Sequence, residues 1–228
     1  MVGGASPAER IVVRDNVVFG SGIRLGYPWG TMSEDVLCTG NYCEVLVVRD
    51  FRKAIVNHNT IVAPSTAVIL EGEGKLQLSG YQWSENHFYI TDGRWGDFAI
   101  IENGKSRGLT FDEWRMETHL AAKSHFTKGF PDKLRVIIRP NPHQPGRANI
   151  VVLNPGELAE VELDLADVLK PMQQFRIVSA KDFYGPSLVA GTYDGQLVRL
   201  PMKAVTPPPP VGMPNVKLPV TEQQFAAF

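Results

Sequence analysis

Through the first hundred residues, apolar positions come in short runs that break at asparagine. Four segments share one pattern, in which apolar residues lead into Asn and apolar or aromatic residues follow: Val12–Phe19, Leu37–Cys43, Ile55–Val62 and Gln82–Tyr89. The asparagines Asn16, Asn41, Asn59 and Asn86 recur after 25, then 18, then 27 residues (16 to 41, 41 to 59, 59 to 86). That spacing suits stacked turns of a solenoid better than successive strands of a sandwich. Further runs between them, Gly22–Tyr27, Val45–Phe51 and Ala67–Glu71, are rich in β-branched and aromatic residues and bounded by Gly, Pro, Asn or Asp,. Each coil therefore reads as strand, Asn turn, strand, looser turn, strand. Helical periodicity is missing from this stretch. Asn suits the sharp bend because it tolerates left-handed backbone angles, and its amide can bond to the Asn of the next coil, so Asn16, Asn41, Asn59 and Asn86 predict a ladder. Four unrelated hairpin turns are the alternative.

After Ile101 the pattern changes. Apolar residues at helical spacing from Phe111, with Thr110 and Glu113 as a capping box, predict a short helix over about 111–122,. From Leu134 a new series of short strands begins: Leu134–Arg139, Ala148–Leu153, Ala159–Leu165, Phe175–Ser179 and Gln196–Leu200. Turns such as Asn154-Pro155-Gly156 and Tyr193-Asp194-Gly195 separate them,. Strict alternation in Val161–Leu165 marks a strand with one wet face, as in an antiparallel sandwich. The run Pro207–Pro210 opens a proline-rich stretch expected to be extended, either a spacer or a segment draped over the sandwich. The predicted organisation is all-β: coils over 1–105, a bridging helix and linker over 106–130, a β-sandwich over 131–205 and an extended tail over 206–228.

The turn pattern over roughly residues 10–101 resembles the right-handed parallel β-helix proteins of the pectin lyase-like superfamily. A Phe-x-x-Trp segment such as Phe111–Trp114, just after the last coil, belongs to the same resemblance. The segments Val168-Leu169-Lys170-Pro171, Asp182-Phe183-Tyr184-Gly185 and Gly191–Gly195 with Leu200-Pro201-Met202 resemble the small β-sandwich appended to many bacterial β-helix and glycosidase proteins. That module usually has Gly after the Lys-Pro pair, where this chain has Met172. The resemblance implies a secreted or cell-surface protein that handles a long carbohydrate lying along one face of the coils. It also implies a supporting role for the C-terminal module.

Composition narrows the partners. Of the 228 residues, 23 are basic and 24 acidic, a net charge of −1 that gives no reason to expect nucleic acid,. No apolar run reaches the ~20 residues that span a bilayer, and residues 1–10 carry no apolar stretch of a secretory signal. The coil pattern starts at Ile11 with no polar end cap before it, which predicts a preceding part of a longer protein as partner. Cys38 and Cys43 flank Asn41 without two further ligands at metal spacing, so buried free thiols are expected, with a disulfide as the alternative,.

Candidate chemistry follows from what polysaccharide enzymes need. A lyase requires a base, commonly Arg or Lys, with carboxylates or Ca2+ neutralising the uronate. The densest set is Arg49, Asp50, Arg52 and Lys53 on a predicted corner, although a solvated charge run is the simpler reading of it. Hydrolysis requires two carboxylates on one face, and Asp15, Asp35 and Glu85, at or near the Asn turns, could align from coil to coil. His58 and His87 beside the turns, with Tyr27, Trp29, Trp83 and Trp95 for stacking on sugar rings, are the carbohydrate-binding candidates. His119 and His125 lie six apart (119 to 125), a poor spacing for two ligands on one helix face, and no metal site is predicted. Three functions stand at this point: a carbohydrate-binding or supporting protein, an active lyase or glycosidase, and a structural or adhesin-like surface protein.

Overall fold

The computed structural model describes residues 6–27, 32–94, 96–207, 211–212, 221 and 223–228. The chain is mostly β and divides into two units, Met1–Pro131 and Asp132–Phe228.

The first unit is built from rungs that each contribute one strand to three parallel sheets. The first rung holds β1 (Ile11–Arg14) and β2 (Ile23–Leu25), with Val17 bridging to Tyr42 between them. The second holds β3 (Ser33–Thr39), β4 (Tyr42–Cys43) and β5 (Leu46–Arg49). The third holds β6 (Phe51–Asn57), β7 (Thr60–Ala63) and β8 (Val68–Gly72), and the fourth β9 (Tyr81–Ser84), β10 (His87–Ile90) and β11 (Phe98–Glu102). A hairpin strand, β12 (Lys105–Leu109), pairs antiparallel with β11, and the helix α1 (Phe111–Thr118) follows. Ala122 then bridges to Ser84, and β13 (His125–Lys128) pairs in parallel with β10, beginning a fifth rung. Sheet 1 has the order β1-β3-β6-β9, sheet 2 the order β4-β7-β10-β13, and sheet 3 the order β2-β5-β8-β11-β12.

Register explains the core. In sheet 1, Val13, Cys38, Val56 and Trp83 are successive partners, as are Ile11, Val36, Ala54 and Tyr81. These columns point inward, where they meet Leu25, Val48, Leu70 and Ile100 of sheet 3 and Ile61 and Phe88 of sheet 2 in one apolar cluster. Because strand side chains alternate faces, the remaining positions of each strand form outward columns in equally strict register. At the α1 end, Phe88, Phe98, Phe111, Phe126 and Trp114 close the cluster, with Phe98 stacked on Trp114 at 4.8 Å and Phe111 on Phe126 at 5.6 Å.

The predicted amide ladder is present. Asn16 Nδ2 donates to Asn41 Oδ1 at 2.9 Å, Asn41 Nδ2 to Asn59 Oδ1 at 2.9 Å, and Asn59 Nδ2 to Asn86 Oδ1 at 3.0 Å. Each acceptor also takes the backbone N–H of the Asn below it, and Asn86 N is taken by Ser124 Oγ at 3.1 Å. Two expectations need correction. The left-handed residue is the one before each Asn: Asp15, Gly40, His58 and Glu85 have φ of 56°, 67°, 54° and 56°, and Lys123, before Ser124, has 58°. The Asn itself follows that bend and turns its amide inward to neighbours above and below. The helix also ends at Thr118 rather than about 122, because His119 takes a left-handed angle (φ 56°) and donates its N–H to Arg115 O. Leu120 and Ala121 are then buried as the chain returns to the stack, so 106–130 holds part of a rung as well as the helix and linker expected there.

The second unit is made of antiparallel pairings. Strands β14 (Arg135–Pro140) and β15 (Ala148–Leu153) pair, as do β16 (Glu160–Leu163) with β19 (Val198–Pro201), and β17 (Gln174–Ile177) with β18 (Val189–Thr192). The last strand, β20 (Phe225–Ala227), pairs with β15, so the expected tail over 206–228 ends in a sheet. Ala226 enters the apolar cluster with Val152, Leu163, Leu200 and Tyr193. Met172, where a glycine was expected, keeps a glycine-like backbone with φ of 71° and remains 81% exposed.

Candidate functional site

The outer face of sheet 1 carries three parallel columns. The central one runs Val12, Leu37, Ile55 and Gln82, and all but the last are apolar. On one side lie Arg14, Thr39, Asn57 and Ser84, again successive register partners. On the other side Asp35 faces Lys53, and beside them Arg52 Nε meets Glu34 Oε1 at 3.1 Å. Leu37 and Ile55 are half-buried and Val12 is 58% exposed, so an apolar stripe stays open between two polar borders. Asn57 Oδ1 is buried yet has no hydrogen-bond partner.

The face continues round the Asn corner. Asp15, Gly40, His58, Glu85 and Lys123 form the column of left-handed residues, within which His58 Nδ1 lies 3.3 Å from Glu85 Oε2. Glycine at 40 has a local reason, since a Cβ there would stand 2.5 Å from Asp15 Oδ1. Beyond the corner, on sheet 2, Tyr42, Thr60, His87 and His125 are in register, with Tyr89 facing Thr127 two positions on. His87 stacks on Tyr89 with ring centroids 4.1 Å apart.

Of the residues expected to act in catalysis, Asp35, Arg52 and Lys53 meet on sheet 1 and Asp15 lies at the corner, while Arg49 and Asp50 stand elsewhere. Arg49 points outward from sheet 3 but is only 9% exposed, and its Nε is 2.5 Å from Glu71 Oε2. Asp50 forms a corner of its own (φ 41°), and its carboxylate accepts Glu73 N–H at 3.0 Å, holding the loop after β8. The expected alignment of Asp15, Asp35 and Glu85 is not formed. Asp15 and Glu85 share the corner column but are separated in it by Gly40 and His58, whereas Asp35 sits within β3 and accepts Arg10 N–H at 3.0 Å. No pair of these carboxylates faces across a common gap.

The expected sugar-stacking aromatics also move. Trp83 is 3% exposed and packs inside the stack against Trp114 at 5.6 Å, because its column is an inward one. Tyr27 is half-buried just after β2, and Trp29 and Trp95 lie outside the described residues. His58 and His87 remain on the outer wall, joined by Tyr89, which the turn pattern did not single out. His119 and His125 separate, the first at the end of α1 and the second on β13.

A cleft of about 440 Å³ opens near α1, lined in part by Lys75, Tyr81, Glu102, Arg107 and Glu117. Its charges are largely engaged already. Arg107 makes a two-pronged ion pair with Glu117, drawing that carboxyl below its usual range, and Glu102 Oε1 accepts Leu76 N–H at 2.8 Å. The outward columns of sheet 1, by contrast, are unobstructed along Val12, Leu37 and Ile55. Among the described residues, no three His, Cys, Asp or Glu side chains gather at one point, and no helix is long and apolar enough to cross a membrane. No protein-family model matches the chain, and comparison with curated proteins and with solved structures gives no match.

Proposed function

We propose that the first unit is a right-handed parallel β-helix of the pectin lyase-like kind and the second a supporting β-sandwich. The function we infer is binding of an extracellular polysaccharide along the outer face of sheet 1. One observation carries this reading: the apolar column Val12–Leu37–Ile55, flanked in register by Arg14–Thr39–Asn57–Ser84 and by Asp35–Lys53. A pyranose ring has apolar C–H faces and a rim of hydroxyls. Its face would rest on Leu37 and Ile55 while its hydroxyls reach Thr39 and Asn57 on one border and Asp35 and Lys53 on the other. Repetition of the columns at the ~4.8 Å strand spacing extends the same set of contacts along a polymer. Binding is favoured over cleavage because Arg49 and Arg52 are tied to carboxylates and, among the described residues, Asp15, Asp35 and Glu85 do not share one column.

The test is a panel of uronate-containing and neutral polysaccharides, scored by thermal shift and by release of unsaturated, ultraviolet-absorbing products. At least one glycan should raise the melting temperature without forming such products. Ile55→Asp and Asn57→Ala should each remove that shift while leaving the unliganded protein folded. A panel with no shift and no products would end the carbohydrate reading, and products lost in Lys53→Ala would convert it to a lyase.

A further inference from the structure

Two histidines that are 38 residues apart in sequence (87 to 125) are register partners on β10 and β13. Their side chains leave sheet 2 on the same side, from strands that lie about 4.8 Å apart. The ring centroids are 5.9 Å apart with planes tilted by 58°. A metal ion bound at about 2.0–2.1 Å to one nitrogen of each of two imidazoles sets the ring centres about 5–6 Å apart. The centroid separation of this pair falls within that range.

Surrounding contacts hold the His87 ring in place. His87 is braced by its stack on Tyr89, and its Nε2 lies 3.0 Å from Thr127 Oγ1, which belongs to the same strand as His125. Among the described residues, neither ring has a carboxylate partner, unlike His58 with Glu85. Burial, and then the neighbouring His125, lower the His87 pKa from the ordinary imidazole value.

We propose that His87 and His125 form a two-imidazole site for a divalent late transition metal ion of the zinc, nickel or copper class, ions that imidazole suits. With no third His, Cys, Asp or Glu gathered there, the remaining coordination positions are open to solvent or to an incoming donor. The ion would also tie β13 to β10, so that occupancy stabilises the fold by mass action.

Tag-free full-length protein is titrated with Ni2+ at pH 7.5 and followed by calorimetry and thermal shift. One ion per chain and a raised melting temperature are expected. His125→Ala, at an exposed position, should weaken binding roughly ten-fold or more, and His87→Ala should do the same, whereas His58→Ala and His143→Ala should not. Electron paramagnetic resonance of the Cu2+ form should show coupling to two nitrogens, reduced to one in His125→Ala. Nickel affinity unchanged in His125→Ala, or no saturable binding by the unaltered protein, would overturn the site. Both readouts are independent of any glycan, so failure here leaves the polysaccharide reading standing.

Discussion

Single residues in the stack are held by neighbours that come from distant parts of the sequence. Asn59 is the clearest case: its Nδ2 donates to Cys38 O, Asn57 O and Asn86 Oδ1, and its Oδ1 takes both N–H groups of Asn41. Asn59→Ala strips these buried partners at once and should cost about 3 kcal/mol, whereas Asn16→Ala at the exposed end should cost about 1 kcal/mol. Urea denaturation of the two variants gives the comparison, and equal losses would contradict a ladder whose interior is tighter than its end. The packed interior also shields sulfur. Burial pushes Cys38 and Cys43 up to about 12, with the second thiol adding to the effect at Cys38 and a backbone hydrogen bond at Ile23 opposing it at Cys43. Neither thiol should be alkylated by iodoacetamide at pH 8 in the native protein, and both should react after unfolding. Met172 offers a change in the other direction. Its left-handed angle burdens any side chain, so Met172→Gly should raise stability by about 1 kcal/mol in the same urea assay,.

At the scale of elements, pairing decides what the sequence pattern left open. Strand β20 supplies backbone partners to Val151–Leu153 and buries Ala226, and Phe228 exchanges two 2.8 Å hydrogen bonds with Ile150. Deleting residues 224–228 should therefore destabilise the second unit by about 3 kcal/mol, visible as a lowered midpoint in its unfolding. The asparagine turns and the β-branched runs between them were readable because local bends and burial repeat there with little variation. The capping box at Thr110 was readable too, since its hydrogen bonds span three residues. What escaped was non-local. The fifth rung repeats Asn86-His87-Phe88 as Ser124-His125-Phe126, but a hydroxyl replaces the amide, and β12 and α1 stretch the interval beyond the others. Strand β20 escaped because a proline-rich stretch precedes it. Trp83 lies inside because its position in an alternating strand, not its aromatic character, decides which face it takes. The same period-two count that puts Trp83 inside places Thr39, Asn57 and Ser84 on the outer face.

On the scale of the whole molecule, each unit has its own apolar cluster. The first gains cohesion from three sheets that grip every interior rung from both neighbours, so its integrity does not depend on an unbroken covalent path. A protease that cuts once in the loop at 73–80 leaves β8 and β9 still hydrogen-bonded to the strands beside them. The nicked molecule should elute from a sizing column as one particle and separate into two bands only in denaturant. Wear on its surface loops would then leave the three sheets intact, because each strand is held from the side and not only through the chain.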